Sequence, residues 1–156
     1  PRFAMAHVFL GQSYVALGRG AEAVAEVEAA LALSPGVAEM EAALGQAYAA
    51  AGRPEEARRV LAGLVLREAE RYVSPTLVAS VHAALGEREA ALAGLERACE
   101  ARAADLAWIG VRPVFDDLRG EPRFQALIER LGLAGFVTGT VVLDRPADDI
   151  DGRERD

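Results

Sequence analysis

LGQSYVALGR at residues 10–19 and LGQAYAAAGR at residues 44–53 are two copies of one pattern, 34 residues apart. Seven of their ten positions are identical. A looser third copy, VASVHAALGE at residues 78–87, keeps the same offset. A fixed period of this length predicts similar structural units that stack and bury a continuous core between them.

Each unit has the sequence pattern of two helices joined by a glycine turn. Apolar residues recur at helical spacing in the first half of each unit, and each run ends at Gly18, Gly52 or Gly86. Glycine suits this position because it adopts the left-handed conformation that ends many helices. Ser74 and Pro75 match the N-cap and the first helical position of the third unit. The expected first helices are 4–17 and 38–51, and the expected second helices are 20–33 and 54–70.

Two further glycines, Gly11 and Gly45, lie inside the predicted first helices, where Ala would favour the helix by about 1 kcal/mol. This cost is offset where two helices cross so closely that a methyl group would separate them. We therefore expect Gly11 to face Ala23 across a close crossing. Ala79 holds the equivalent position of the third unit and predicts a wider crossing there.

A 34-residue helix–turn–helix unit with Leu-Gly-x-x-Tyr, then Gly, Ala and a late Pro, resembles the tetratricopeptide repeat. The resemblance implies an all-α fold, a right-handed superhelix of antiparallel helix pairs with a C-terminal helical cap. We expect a domain over residues 1–133, with units at 4–37, 38–71 and 72–105, the last degenerate, and a cap at 106–133. The first unit carries most of the pattern, in Leu10, Gly11, Tyr14, Gly18, Ala23, Ala30 and Pro35.

The region after the third unit reads as shorter elements. Asp105 is expected to cap a short helix that carries Trp108, and Pro113 and Pro122 are expected to open two more. The pattern V-x-P-x-F-D-x-L-R-x-x-P-R-F, at residues 111–124, resembles the end of tetratricopeptide regions in bacterial signalling proteins. This resemblance implies the sensor or interaction half of a larger regulator. Residues 134–156 read as an extended or disordered tail, with a strand-like stretch at 136–143.

Pro1 stands where the late Pro of a preceding unit would fall, and the chain has no initiator Met. We therefore expect the natural protein to extend further toward its N-terminus. Any effector domain would lie in that part.

Composition excludes several function classes. The net charge is −7 and all basic residues are Arg, which argues against a nucleic-acid or anionic-membrane partner. No stretch is long and apolar enough for a transmembrane helix, and no signal peptide is evident. Cys99 is the single cysteine, which suits a reducing compartment, so we expect a cytoplasmic protein.

The sequence lacks a catalytic set. His7, His82 and Cys99 are isolated from one another along the chain and are interpreted as packed structural residues, so we expect no enzyme activity, no cofactor and no metal. Asp116 and Asp117 are interpreted as a helix-end pair rather than a catalytic dyad.

The resemblance implies a partner-binding groove along the concave wall formed by the first helices. Its small neutral side chains leave room for a protein or peptide partner, and a homo-oligomer is a second form the partner could take. Two alternatives stay open: the chain's own C-terminal segment fills the groove, or the region is an accessory part of a larger regulator or enzyme. The candidate partner-binding residues are Met5, Val8, Gln12, Val15, Glu39, Ala42, Gln46, Val73, Thr76 and Ser80.

Overall fold

The structure is a computed structural model that describes residues 3–134. Its described part is all helical, as the repeat pattern predicts. The predicted strand-like stretch at 136–143 lies outside the described residues. The helices are α1 (Ala4–Ala16), α2 (Gly20–Leu33), α3 (Ala38–Ala50), α4 (Pro54–Glu68), α5 (Pro75–Ala84), α6 (Arg88–Glu100), the 3-10 helices η1 (Ala104–Trp108) and η2 (Pro113–Leu118), and α7 (Pro122–Arg130).

The same turn joins the two helices of every unit. Gly18, Gly52 and Gly86 have φ angles of 71°, 69° and 75°, as their sequence position predicts. The next residue donates its N–H to the carbonyl five residues back, as in the Arg19 N to Tyr14 O bond of 2.8 Å. This bond satisfies a carbonyl that the end of the helix would otherwise leave unpaired. Ser74 also acts as predicted, since its Oγ accepts from the N–H of Thr76 at 3.3 Å.

The helix pairs stack into a solenoid. Helices α1 and α2, α3 and α4, and α5 and α6 pack as neighbours, and α1 contacts α3 while α3 contacts α5. The first helices of the units therefore lie side by side and form one wall. The fold class predicted from the sequence is confirmed as an all-α solenoid of tetratricopeptide-repeat type.

The interior glycines mark close contacts between helices. A Cβ on Gly11 would lie 2.5 Å from Val27 Cγ2 and 3.3 Å from the carbonyl oxygen of Ala23, so Ala23 is opposite as expected. The third unit keeps a close contact in a different way. Its Ala79 faces Gly94 of α6, where a Cβ would lie 2.9 Å from the Ala79 Cβ. The small residue has moved to the opposite helix, so Ala79 does not by itself indicate a wider crossing.

The first and second units meet at Gly20, the first residue of α2. A Cβ on Gly20 would lie 2.5 Å from both the N and the Cα of Ala51. Because those are backbone atoms, no side-chain rotation could make room for a larger residue. Gly20 therefore fixes the distance between α2 and the end of α3.

The C-terminal cap covers the last helix pair. Helix η2 packs on α5, while η1 and α7 pack on α6. Phe115 and Phe124 are fully buried, with ring centroids 6.3 Å apart. One expectation for this region is wrong: Asp105 does not cap η1, because its carboxylate accepts the Ser74 hydroxyl at 2.8 Å and the N-cap position is Ala103. Trp108 is 64% exposed rather than packed.

Candidate functional site

A cavity of about 360 Å³ opens on the concave wall and is called here the concave cavity. Helices α1, α3 and α5 supply most of its lining, and η2 of the cap with the residue before it closes one end. The first helices lie side by side, so residues at the same position of successive units line it together. The lining residues are Gln12, Val15, Ala16, Ala43, Gln46, Ala50, Ala83, Ala84, Arg112, Pro113, Val114 and Asp117.

Small side chains make the space. Five of the eight lining residues from the first helices are alanines, and Ala16 and Ala50 are exposed. Alanine leaves the helix backbones accessible while it favours the helix itself. The lining is therefore mostly apolar and carries a few polar side chains, which is the usual composition of a ligand site.

Gln46 is held in one orientation by the next unit. Its Nε2 donates to the Oγ of Ser80 at 2.9 Å, and the Ser80 hydroxyl donates to the Leu77 carbonyl at 2.7 Å. A hydroxyl has a single proton, so the atom of Gln46 that faces Ser80 must be a donor. The amide oxygen of Gln46 is thereby left as an acceptor, on a residue that lines the concave cavity.

Gln12, Gln46 and Ser80 occupy one position in the three units, and their exposure falls along the solenoid. Gln12 is exposed, Gln46 is 8% exposed and Ser80 is fully buried. Each unit is covered by the next, and the third is covered by η2. The cavity lining therefore includes the amides of Gln12 and Gln46 but not the Ser80 hydroxyl.

The structure brings Gln12, Val15 and Gln46 together in the cavity lining, out of the ten candidate residues. The others lie elsewhere. Glu39 is exposed outside the lining, and Met5 is half-buried against the core of the first two units. The remaining candidates are buried because they face neighbouring helices rather than the groove, and the oxygen Oγ1 of Thr76 has no hydrogen-bond partner within residues 3–134. These buried candidates are Val8, Ala42, Val73, Thr76 and Ser80.

Sequence reasoning missed the contribution of the cap. Arg112, Pro113, Val114 and Asp117 line the concave cavity, whereas all ten candidate residues were taken from the repeats and none from the cap. The signal lies in the sequence pattern at residues 111–124. Its buried positions, Phe115 and Leu118, alternate with polar residues that must face another surface.

Each of the two histidines contacts a glutamate at hydrogen-bond distance. His7 Nδ1 lies 2.7 Å from Glu26 Oε2, and His82 Nδ1 lies 2.7 Å from Glu87 Oε2. Cys99 is a free buried thiol that packs in the core, as predicted. Between residues 3 and 134, no three His, Cys, Asp or Glu side chains are grouped as a metal site. No helix of this region is long and apolar enough to cross a membrane.

A comparison of the sequence with family models agrees with the stacked helix pairs of the structure. The family model described as tetratricopeptide repeat matches residues 14–77, which is somewhat less than half of the chain. No curated protein and no solved structure matches the chain. The described residues thus form a tetratricopeptide-repeat-like solenoid, and the match supports the tetratricopeptide repeat family for this chain.

Proposed function

We propose that the protein is a non-catalytic interaction module that binds a peptide or protein segment in the concave cavity. Tetratricopeptide repeats generally mediate protein–protein interactions and generally do not catalyse reactions. The observation that carries the proposal is the composition of the cavity lining. Alanine walls from three helices surround amide groups, and those of Gln12 and Gln46 keep unused hydrogen-bonding capacity.

A peptide fits these groups chemically. The free amide oxygen of Gln46 can accept a backbone N–H, and the Gln12 amide can both donate and accept. Apolar side chains of the peptide would cover the alanine surface. An extended peptide or a short helix satisfies this description.

The test is selection of peptides from a random library on the purified full chain, followed by affinity measurement by fluorescence anisotropy. Ala50→Trp fills the concave cavity from an exposed position on α3. It should weaken the selected peptides by about tenfold or more, because one bulky side chain removes the packing surface. Ala62→Trp is the matched control, since Ala62 is exposed on α4, outside the cavity lining.

Unchanged affinity in Ala50→Trp would place the binding surface elsewhere and reject the proposal. Equal loss in both variants would have the same meaning, provided that far-ultraviolet circular dichroism shows both variants folded. Gln46 is a poor choice for substitution here, because its bond to Ser80 makes it part of the packing between units.

A second candidate is an accessory region that self-associates. It is favoured by the exposed apolar side chains at the start of the solenoid, where Phe3 and Leu17 are 65% and 68% exposed and Phe9 is also exposed. Helix α1 carries no Asp, Glu or Arg that would oppose such contact. Light scattering over a concentration series tests it. Association should be lost in Leu17→Asp, and a monomer at all concentrations would exclude this candidate.

A further inference from the structure

Arg112 is the only positively charged residue among the described residues that line the concave cavity. It directly precedes η2 and belongs to the cap rather than to a repeat. Its guanidinium lies over the ring of Phe115, with 5.8 Å between Cζ and the ring centroid. The cap thus brings a cation to the end of a cavity whose other lining residues are apolar or carry amides, apart from Asp117.

The Arg112 guanidinium has no anionic partner in the part of the chain that the structure describes. Arg123 pairs with Glu89 and Glu96 at 2.8 and 2.7 Å, and Arg67 pairs with Glu41 at 2.6 Å. Within residues 3–134 the Arg112 guanidinium makes no ion pair with a carboxylate and donates no hydrogen bond to one. Asp105 raises its pKa from a longer distance, but the Asp105 carboxylate is bonded to Ser74.

Asp105 and the Phe115 ring therefore compensate the burial of this cation only in part. Desolvation lowers the pKa of Arg112, and this effect outweighs that of Asp105. Arg112 is half-buried, and a charge that is partly removed from water without an ion-pair partner raises the free energy of the empty site. An anion that entered the concave cavity would relieve that cost and would gain charge-assisted hydrogen bonds in the same step.

We propose that Arg112 anchors a carboxylate of the bound peptide, which makes acidic peptides the partner class of this protein. The inference rests on the proposed function and adds the charge of the partner to it. A guanidinium presents two parallel N–H groups that match the two oxygens of a carboxylate. The carboxylate comes either from an Asp or Glu side chain or from the C-terminus of the peptide.

Two features of the chain oppose the binding of a carboxylate. The chain carries a net charge of −7, so its overall field repels acidic ligands, and attraction depends on contact within the cavity. Asp117 lines the same cavity, is exposed, and makes no ion pair with another described residue. Its charge opposes that of Arg112, so Asp117→Asn should tighten the binding of a carboxylate while Arg112 is left intact.

The test uses small probes on the full chain and follows the side-chain Nε–H resonance of Arg112 by nuclear magnetic resonance. N-acetyl-alanine carries a terminal carboxylate, N-acetyl-glutamate amide carries a side-chain carboxylate, and N-acetyl-glutamine amide is the neutral control. At least one acidic probe should give saturable shifts, and the neutral probe should give none. The tighter acidic probe identifies the source of the carboxylate.

Variants define the site. Arg112→Gln should weaken the acidic probe by about tenfold, and Arg112→Lys should retain part of the binding, because a charge-assisted bond contributes this much. Arg59→Gln removes an exposed arginine of α4 and should leave the affinity unchanged. Equal binding of acidic and neutral probes, or weaker binding in Asp117→Asn, would overturn the inference even if Arg112→Gln failed to fold.

Library-selected peptides separate this inference from the proposed function. If they lose affinity in Ala50→Trp but not in Arg112→Gln, the interaction function stands and the carboxylate anchor is rejected. The chain's own acidic tail is tested as the occupant by a combined variant in which Asn replaces Asp144, Asp148, Asp149, Asp151 and Asp156 and Gln replaces Glu154. A shift of the Arg112 resonance in that variant without any probe would identify the tail as the occupant and overturn a partner carboxylate.

Discussion

His82 and Glu87 form a hydrogen bond at the positions where the first two units place an arginine over a tyrosine ring. In those units the guanidinium carbon of Arg19 or Arg53 lies 4.5 Å from the ring centroid of Tyr14 or Tyr48. In the third unit Nδ1 of His82 lies 2.7 Å from Glu87 Oε2. The contact between the first helix and the following turn is kept, while the charge in the turn changes sign.

The first prediction concerns this exchange. His82→Tyr combined with Glu87→Arg should recreate the contact of the other units. The double variant should therefore have a higher free energy of unfolding than the sum of the two single-variant changes predicts. The coupling adds the wild-type contact of His82 with Glu87 to the new cation–π contact, so it should be at least about 0.5–1 kcal/mol, the usual strength of an exposed cation–π contact. Urea denaturation of all four proteins measures it. Arg58, which donates to Glu87 at 3.3 Å, affects the single and the double variant alike and cancels. A coupling of zero would mean that the two contacts are not equivalent.

The second prediction compares two glycines that both lie inside helices. Gly11→Ala should lower the free energy of unfolding by about 1–3 kcal/mol, because the added Cβ would overlap Val27. Gly63→Ala should raise it by about 0.5–1 kcal/mol, because nothing lies within 4 Å of that Cβ and Ala favours a helix. Thermal or urea unfolding measures both. A change of the same sign in both variants would contradict the packing role given to Gly11.

The third prediction concerns the bond between neighbouring units. Ser80→Ala leaves the Gln46 amide without its acceptor and should cost about 1–2 kcal/mol of stability. Gln12→Ala is the matched control at the same position of the first unit. Gln12 is exposed and makes no hydrogen bond within the described residues, so its loss should change stability by less than about 0.5 kcal/mol. Equal effects in a denaturation experiment would show that the Gln46–Ser80 bond does not couple the units.

The fourth prediction is a pH dependence at the cap. The hydrogen bond from Arg123 lowers the pKa of Glu96, which outweighs partial desolvation. A carboxyl whose pKa is lower in the folded chain contributes stability above its unfolded pKa of about 4.3, and that contribution is lost as the pH falls below this value. Arg123→Gln should therefore raise the Glu96 pKa and should destabilise the protein less at acid pH than at neutral pH.

Carbon-13 titration of the Glu96 carboxyl and denaturation at two pH values measure these effects. Arg97→Gln, a change at an exposed residue of the same helix, should leave the Glu96 pKa in place. A stability difference between wild type and Arg123→Gln that grew on acidification would refute this assignment.

Local signals in the sequence predict most of the fold. Gly18 and Gly52 end helices because glycine adopts the left-handed conformation without the steric cost of a Cβ. Ser74 with Pro75 starts a helix because the serine hydroxyl can accept a hydrogen bond from a free N–H. Both effects depend on neighbours along the chain, so a single sequence is enough to predict them. The period of 34 residues then specifies how the helices stack.

Contacts between distant segments were not predictable in this way. The third unit has Ala79 at the position of Gly11 and Gly45, and the glycine of its close contact is Gly94 on the opposite helix. These two residues are brought together only by the crossing of α5 with α6. Thr76 and Ser80 hold groove positions in the repeat pattern, yet packing against neighbouring elements buries both. Arg112 joins the concave cavity because η2 packs on α5, a contact that the repeat pattern does not contain.

Neighbouring residues of the cap face two different surfaces, the hydrophobic core and the concave cavity. Phe115 and Leu118 enter the core, while Pro113, Val114 and Asp117 face the cavity between and beside them. If the concave cavity binds a ligand as proposed, substitutions at the exposed residues Pro113 and Asp117 would change its specificity without altering the buried core of the cap. A transplant of the concave cavity to another scaffold must carry the cap with the repeats, since a cut at the end of the third unit would remove four of its lining residues.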